Sequence, residues 1–309
     1  MNRQIKMDHA PMLLVENQWE TMNVLGAKEN EIVYRAENIV DHTVCAMKTN
    51  ITQDFTTMRN ENVVFDGLDD AGNPRGFPTR IFSYSNARNQ NQRFLGLQLL
   101  GQSLHDLHLR CKNRRMPIRS VLRFGRQAIR RLQDVHRIGF VHGDVNPSNF
   151  LMGHPDSDDA RTVHLTGFGA SDQYMTTVDG RPKHIRFSRR VDTQTLVFGS
   201  IMGTRSYSLS RRDDLESLIY TMVFLSGGNL PWQNLTNRHS PDVVKRVWQL
   251  KQNVSEQQLF ANVPLQLTVL FRYVRSLRLS EDPDYDQMYN LLHTALRESE
   301  ATDSEINIE

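Results

Sequence analysis

Short runs of β-type residues, separated by polar turns, dominate the first third of the chain. One stretch among them differs, because 55–68 carries its apolar residues at helical spacing and so predicts a helix. The apolar positions of this helix are Phe55, Met58, Val63, Val64 and Leu68. The predicted strands are 21–25, 32–37, 43–48, 80–84 and 93–100.

After residue 101 the pattern changes to that of helices. The segment 121–136 is amphipathic, with apolar residues recurring about every 3.6 positions. The mostly apolar stretch at 213–225 predicts a buried helix, and further helices are predicted at 243–250, 265–277 and 285–296. Strands first and helices later in one chain indicate an α+β arrangement with two lobes.

This change of character divides the chain into four parts. We expect an extension without clear periodicity at 1–18, a strand-rich lobe at 19–101, a helical lobe at 102–297 and an acidic tail at 298–309. Because the tail is acidic and polar, it predicts a frayed end.

Composition excludes several classes of protein. Of the 309 residues 39% are hydrophobic, which is enough for a sizeable core, and the net charge of +2 implies no global attraction to nucleic acid or anionic membranes. The two cysteines, Cys45 and Cys111, indicate a reducing compartment rather than a disulfide-rich secreted scaffold. No apolar run approaches the ~20 residues that span a bilayer. We therefore expect a cytoplasmic monomer that does not span a membrane, with the nucleus as an open alternative location.

The candidate chemistry lies in two segments. The first is His142-Gly143-Asp144-Val145-Asn146-Pro147-Ser148-Asn149, and the second is Gly167-Phe168-Gly169. Their spacing resembles that of the protein kinase catalytic loop, H-R-D-x-K-x-x-N, and the metal-binding turn, D-F-G. Three residues of that pattern are missing, namely the arginine, the lysine and the aspartate of the turn.

Other segments narrow the resemblance to the casein kinase 1 group, and together they run in consistent order from about 19 to 296. The segment 147–153, Pro-Ser-Asn-Phe-Leu-Met-Gly, is similar to the tau-tubulin kinase branch of that group. The remaining matching segments are 99–107, 210–218, 230–232 and 271–278. The resemblance implies a bilobal kinase fold with ATP and magnesium held between the lobes.

The resemblance assigns roles to the residues that match. Lys48 would pair with the nucleotide phosphates and Glu61 would hold that lysine. The alternative interpretation is a solvated lysine and glutamate on the surface. Asp144 would be the catalytic base and Asn149 a metal ligand. Leu99 and Leu100 would contact the nucleotide where the lobes join.

Three further matches have structural roles. By the same resemblance, His142 and Phe168 would pack in the hydrophobic spine between the lobes. Asp214 would tie a helix of the large lobe to the catalytic loop.

The departures from the family pattern fall on the phosphate side of the expected cleft. Of the glycine-rich loop G-x-G-x-x-G, mapped onto 26–31, only Gly26 remains. Glycine lets backbone N–H groups approach phosphates, whereas Glu29 and Glu31 add negative charge there and Lys28 offsets part of it. An ordinary hairpin turn is the alternative interpretation.

The other departures remove charge from the catalytic residues. Asn146 replaces the lysine that would neutralise the transferring phosphoryl group, and Gly167 replaces the aspartate that would chelate magnesium. Losing one preorganised electrostatic group costs about 2.7–4 kcal/mol in the barrier. Two losses predict a rate lower by a factor on the order of 10⁴. Whether Asp159 or Asp172 could supply the missing carboxylate is left open.

These observations support two hypotheses. The favoured one is a catalytically impaired pseudokinase that docks protein partners or regulates an active relative, so that binding of ATP and magnesium is in doubt. The alternative is an active Ser/Thr kinase with atypical metal use. The basic run 181–190 suggests a site for an acidic or phosphorylated peptide, with a solvated loop as the alternative, and binding of nucleic acid ranks last.

Overall fold

Six strands from the first third of the chain pair into one antiparallel sheet, in sequence order except that the sixth strand lies between the fourth and the fifth. The computed structural model describes residues 13–28, 31–50, 55–85, 93–178, 181–185, 193–205, 208–235, 240–261 and 263–306. The strands of the sheet are β1 (Leu14–Val15), β2 (Trp19–Lys28), β3 (Glu31–Asn38), β4 (Val44–Asn50), β5 (Arg80–Ser85) and β6 (Arg93–Gln98).

Helix α1 (Thr56–Asp70) lies between β4 and β5 along the chain, as its periodicity predicts. Its buried residues recur at intervals of three and four, which puts them on one face. These residues are Met58, Glu61, Val64, Phe65 and Leu68. Four of them are apolar and belong to a core, and the fifth is a buried carboxylate that needs a partner.

The second lobe is helical and is built around two long helices. Helix α3 (Ile118–Arg137) buries one apolar stripe, whereas α5 (Arg211–Leu225) is buried on nearly all sides. The other helices are α2 (Leu104–Arg110), α4 (Thr193–Phe198), α6 (Pro241–Asn253), α7 (Glu256–Leu259), α8 (Leu265–Ser276) and α9 (Tyr285–Ile306). The predicted bilobal α+β fold is confirmed.

Short strands of the helical lobe carry the loops that face the sheet. Strand β8 (Phe150–Met152) pairs with β9 (Val163–Leu165), and the catalytic loop immediately precedes β8. The remaining strands are β7 (Phe140–Val141), β10 (Asp172–Gln173), β11 (Met175–Val178) and β12 (Arg181–His184).

The lobes are joined at 99–103, between β6 and α2. Here the Gly101 N–H donates to the Met152 carbonyl at 2.8 Å, and the Met152 N–H donates to the Gln102 carbonyl at 3.0 Å. This pairing fixes the connection against β8, and Leu99 and Leu100 lie half-buried within it.

Regular structure lies on both sides of the expected outer boundaries of the two lobes. Strand β1 lies inside the expected extension and pairs with β2, and α9 runs through the expected boundary at 297. The first turns of α9 are held by α3, since Arg130 pairs with Asp286 at 2.6 Å and Arg126 bonds to the Tyr289 hydroxyl. The division of the chain into four parts remains a prediction.

Candidate active site

Lys48 on β4 is held between two carboxylates. Its Nζ lies 2.7 Å from Glu61 Oε2 and also 2.7 Å from Glu31 Oε2. All three side chains are well shielded from solvent, with 9% of the lysine, 2% of Glu61 and 12% of Glu31 exposed. The lysine and glutamate predicted to pair do so, and Glu31 is a third member that the sequence analysis did not place on the lysine.

The register of the sheet explains how Glu31 reaches the lysine. Val33 on β3 lies opposite Lys48 on β4, and Glu31 lies opposite Asn50. Because side chains two residues apart share a face of a strand, Glu31 and Lys48 are on the same face and within diagonal reach. Glu31 stands at the third glycine position of the eroded loop, where a glycine would leave the space before the lysine open.

The two carboxylates keep Lys48 charged. Burial alone would lower the pKa of this ammonium, but attraction to Glu61 and Glu31 outweighs it and raises the pKa to about 12. The cation that would meet a phosphate is therefore already neutralised by protein groups.

The catalytic loop is arranged around Asp144, whose carboxylate accepts from two asparagine amides. Asn146 Nδ2 donates to Oδ1 at 2.8 Å, and Asn149 Nδ2 donates to Oδ2 at 2.8 Å. Asn146 also accepts from the Ser148 N–H at 2.9 Å, which caps the short 3₁₀ turn that carries Asn149. Asn146 thus supplies a neutral donor to Asp144 where the family pattern has a lysine.

Gly167 has a left-handed backbone, with φ 79° and ψ 44°. A Cβ built on it would overlap the Oδ1 of Asn149, so the asparagine occupies the space next to the glycine. The Asn149 amide nitrogen already donates to Asp144, which leaves Oδ1 as the one oxygen that this side chain could offer a metal.

The two residues predicted to pack between the lobes, His142 and Phe168, contact each other, and Phe168 also contacts α1. The Phe168 ring lies against Phe65 of α1 at 5.5 Å between centroids and against His142 at 5.2 Å. Both contacts are edge-on, a preferred aromatic geometry. A continuous stack therefore connects α1, the metal-binding turn and the catalytic loop.

Asp214 of α5 holds the start of the catalytic loop through hydrogen bonds to its backbone. Its carboxylate accepts from the backbone N–H of His142 at 2.7 Å and of Gly143 at 2.8 Å, and His136 Nε2 lies 2.9 Å away. Burial would raise the pKa of this carboxyl, but the hydrogen bonds and the neighbouring imidazoles lower it. The anchor is therefore an ionised, fully hydrogen-bonded group.

Comparison with curated proteins agrees with this architecture. The chain is 35% identical over 205 residues to casein kinase I homolog 2 of Schizosaccharomyces pombe, covering 66% of this chain and 46% of that protein. It is 27% identical over 268 residues to a probable casein kinase I homolog of Encephalitozoon cuniculi, covering 86% of this chain and 84% of that protein. The chain belongs to the casein kinase 1 group of the protein kinase superfamily.

A third member of the group, casein kinase I homolog 1 of Schizosaccharomyces pombe, is 31% identical over 212 residues, covering 68% of this chain and 47% of that protein. The chain thus spans about half the length of the two Schizosaccharomyces pombe relatives. No family model matches it.

Magnesium does not fit the donor set that this casein kinase 1 chain offers. The ion prefers several oxygens in octahedral geometry, with carboxylates among them. Gly167 contributes no side-chain atom, and Asn149 contributes one neutral oxygen. No group of three or more His, Cys, Asp or Glu residues able to hold a metal lies within the part of the chain that the structure describes.

The aspartates considered as substitutes lie elsewhere. Asp159 bonds to Arg75 at 2.5 Å and to Thr162 at 3.0 Å. Asp172 lies on β10 and lines a groove beside α1. Because its carboxylate is bonded to Arg75 and Thr162, Asp159 does not take the place of the missing carboxylate at Gly167.

The remaining predicted positions are described only in part. At Gly26 an added Cβ would meet nothing within 4 Å, so this residue does not need to be glycine for packing. The loop residue Glu29 lies outside the described residues. In the basic run, Arg181–His184 form β12, whereas 186–190 lie outside the described residues.

Sequence analysis missed two features of the site, and one of them left a signal. The period-two alternation of β3 places Glu31 and Val33 on one face, so a known register would have put Glu31 beside Lys48. The two hydrogen bonds that asparagine side chains donate to Asp144 depend on side-chain rotamers in a loop, for which the sequence carries no periodic signal.

Among the helices that the structure describes, none is both long enough and apolar enough to cross a membrane.

Proposed function

We propose that this chain is a pseudokinase, a regulatory or scaffolding member of the casein kinase 1 group that acts by binding protein partners. The observation that carries the proposal is the contact of Glu31 with Lys48 at 2.7 Å. In a working kinase this lysine meets the nucleotide phosphates. Here a carboxylate of the same chain takes that position.

The balance of charge supports the same conclusion. The charged groups described above in the cleft are one cation, Lys48, and three carboxylates, Glu31, Glu61 and Asp144. An ATP polyphosphate would add negative charge to an excess of negative charge. With asparagine at 146 and glycine at 167, neither a second cation nor a metal carboxylate offsets this repulsion.

Thermal melting with and without nucleotide tests the proposal. We expect the wild-type protein to show no shift with Mg·ATP beyond the shift with ATP alone. Glu31→Gln keeps the shape of the side chain and removes its charge, so it should gain nucleotide binding. A ligand at 100 times its dissociation constant adds about 2.7 kcal/mol of stability, which melting readily detects.

Glu37→Gln is the matched control, because Glu37 lies on the same strand and the same face as Glu31 but pairs with His42. It should leave the nucleotide response unchanged. A large magnesium-dependent shift in the wild-type protein would contradict the proposal.

The alternative function, an active Ser/Thr kinase, is favoured by the intact Lys48–Glu61 pair and by the retained Asp144. It predicts transfer of labelled phosphate to casein that Asp144→Asn abolishes. We expect no transfer above the level of that variant.

We also infer the branch of the casein kinase 1 group, the compartment and the oligomeric state of this chain. The segment 147–153 supports the tau-tubulin kinase branch, and the composition supports a cytoplasmic monomer. Reconstructing the branch from a wider set of sequences would test the first point, and measuring mass in solution would test the monomeric state.

A further inference from the structure

The outer face of α1 borders a groove that the candidate active site does not use. Two cavities of about 580 and 560 Å³ lie along it, and both are lined by Arg59, Val63 and Arg93. One cavity extends toward β10, and the other extends toward β5. They therefore form one continuous surface, which we call the α1 groove.

Two arginines at the centre of the α1 groove have no acidic partner within the described part of the chain. Arg59 is exposed, and Arg93 stacks its guanidinium on the Phe55 ring at 4.8 Å from the centroid. The Nε of Arg93 is a buried donor without a hydrogen-bond partner among the described residues. Buried polar atoms are normally satisfied, so this N–H marks a place where an acceptor such as a phosphate oxygen could complete the bonding.

The other charges of the groove lie toward its ends. Arg80 is paired with Asp66 at 2.7 Å and with Asp69 at 2.5 Å, so at that end one cation faces two carboxylates. Asp172 lines the opposite end. Within the described residues, the cations of the groove that pair with no carboxylate are thus Arg59 and Arg93, at its centre.

Apolar surface lines the α1 groove beside these arginines. The Val63 side chain is 42% exposed on the outer face of the helix, and Phe55 lines the same groove. A guanidinium binds phosphate in a planar, two-pronged geometry, and stacking on an aromatic ring holds it in place. The combination fits a protein segment that carries a phosphate group beside an apolar side chain.

We propose that the α1 groove binds a phosphorylated segment of a protein partner, with Arg59 and Arg93 holding the phosphate and Val63 contacting a neighbouring apolar residue. The proposal rests on the proposed function, since it names where a partner of the pseudokinase docks. A failure of this proposal can be told from a failure of the proposed function, because the nucleotide response of Glu31→Gln does not depend on either arginine.

Three immobilised peptide libraries test the groove, each of random sequence around one fixed residue: phosphoserine, glutamate or serine. The purified 309-residue chain should be retained on the phosphoserine library, more weakly on the glutamate library and not on the serine library. Arg59→Glu and Arg93→Glu should each weaken retention about tenfold or more, because a bond to a charged group contributes roughly that factor.

Arg161→Glu is the matched control, because Arg161 is exposed on a turn of the helical lobe away from the groove, and it should be retained like the wild type. Arg93→Gln removes the positive charge without introducing a negative one, so it tests the site if Arg93→Glu does not fold. Equal retention on the serine library, or no retention on any library, would overturn the proposal. So would loss of retention in Arg189→Glu and Arg190→Glu alone, since that result would place the phosphate on the basic run instead.

Discussion

Two lysines are buried within the described part of the chain, and their surroundings have opposite effects on the charge of the ammonium group. Lys48 lies in the cleft between two carboxylates. Lys251 lies on α6 in the helical lobe, where its Nζ donates to the Gly199 carbonyl at 2.6 Å and to the Thr204 hydroxyl at 3.2 Å. The centroids of the Tyr220 and Trp232 rings lie 5.6 and 5.4 Å from the same nitrogen.

The pKa values of the two lysines move in opposite directions for this reason. That of Lys48 is raised to about 12 by its carboxylates, against the effect of burial. Burial lowers the pKa of Lys251 to about 7; the nearby Glu216 acts to raise this pKa, but Arg275, which is bonded to Glu216 at 3.1 Å, acts to lower it. A buried lysine therefore stays firmly charged only where an anion is supplied, and in the cleft the chain supplies two.

The comparison bears on the function of the cleft. A kinase lysine with one carboxylate partner has capacity left for a phosphate, whereas Lys48 has a second protein anion in contact. The positive charge of the cleft is used to hold β3, β4 and α1 together. The side chains around Lys48 are thus buried, as those around Lys251 are, although the charges that surround the two lysines differ.

The largest expected effect comes from making the same substitution at both lysines. Lys48→Met removes the cation from two shielded carboxylates and should destabilise the protein by about 3–5 kcal/mol, the usual cost of breaking a buried ion pair. Lys251→Met replaces an amine whose two hydrogen-bond acceptors are neutral by an apolar side chain of similar length. It should be close to neutral at pH 7. Chemical denaturation of both variants measures the difference.

Glu31→Gln serves as the control for the first variant, since it leaves the Lys48–Glu61 pair intact and should cost less than Lys48→Met. If Lys48→Met and Lys251→Met destabilise the protein equally, the contrast between the two regions is wrong.

The next effect is a pH dependence that belongs to Lys251 alone. Its pKa is about 7 in the folded protein against 10.5 for the free side chain, so between these values the unfolded chain binds more protons. Stability must then rise with pH across this window, by about 2 kcal/mol from pH 7 to pH 9. Lys48 contributes no slope there, because its pKa is above the window in both states.

Denaturation of the wild type and of Lys251→Met at several pH values isolates this contribution, since all other titrating groups are common to both proteins. The wild type should gain stability relative to the variant as the pH rises. A constant difference between the two proteins would show that Lys251 keeps an ordinary pKa.

Sequence reasoning predicted more of the fold than of these contacts. The helix at 55–68 corresponds to α1, and that at 121–136 corresponds to α3, because their apolar faces repeat at intervals of three and four. The short helix α2 was missed, since seven residues give too few turns for a periodic signal.

The chemistry of the site was less predictable because it depends on contacts between distant residues. Lys48 and Glu61 were paired through the family resemblance, and the sheet register then brings Glu31 to the same atom. Lys251 carried a weak signal, as it lies four residues after the buried Val247 and so shares a face of α6 with it. A lysine on a buried face is rarely expected, so this position was not identified.

The smallest expected effect tests whether the cleft is filled by its own side chains, as an interior would be. Gly167→Ala places a Cβ on a left-handed backbone and against Asn149, so it should cost about 1–2 kcal/mol from the backbone alone. Gly26→Ala is the matched control, because nothing lies within 4 Å of its added Cβ, and it should change stability by less than about 0.5 kcal/mol. Gly167→Asp meets the same obstacle and, on its own, should not restore a magnesium-dependent melting shift. If Gly167→Ala is as harmless as Gly26→Ala, then Asn149 moves away readily, and the metal side of the cleft is more open than the region around Lys251.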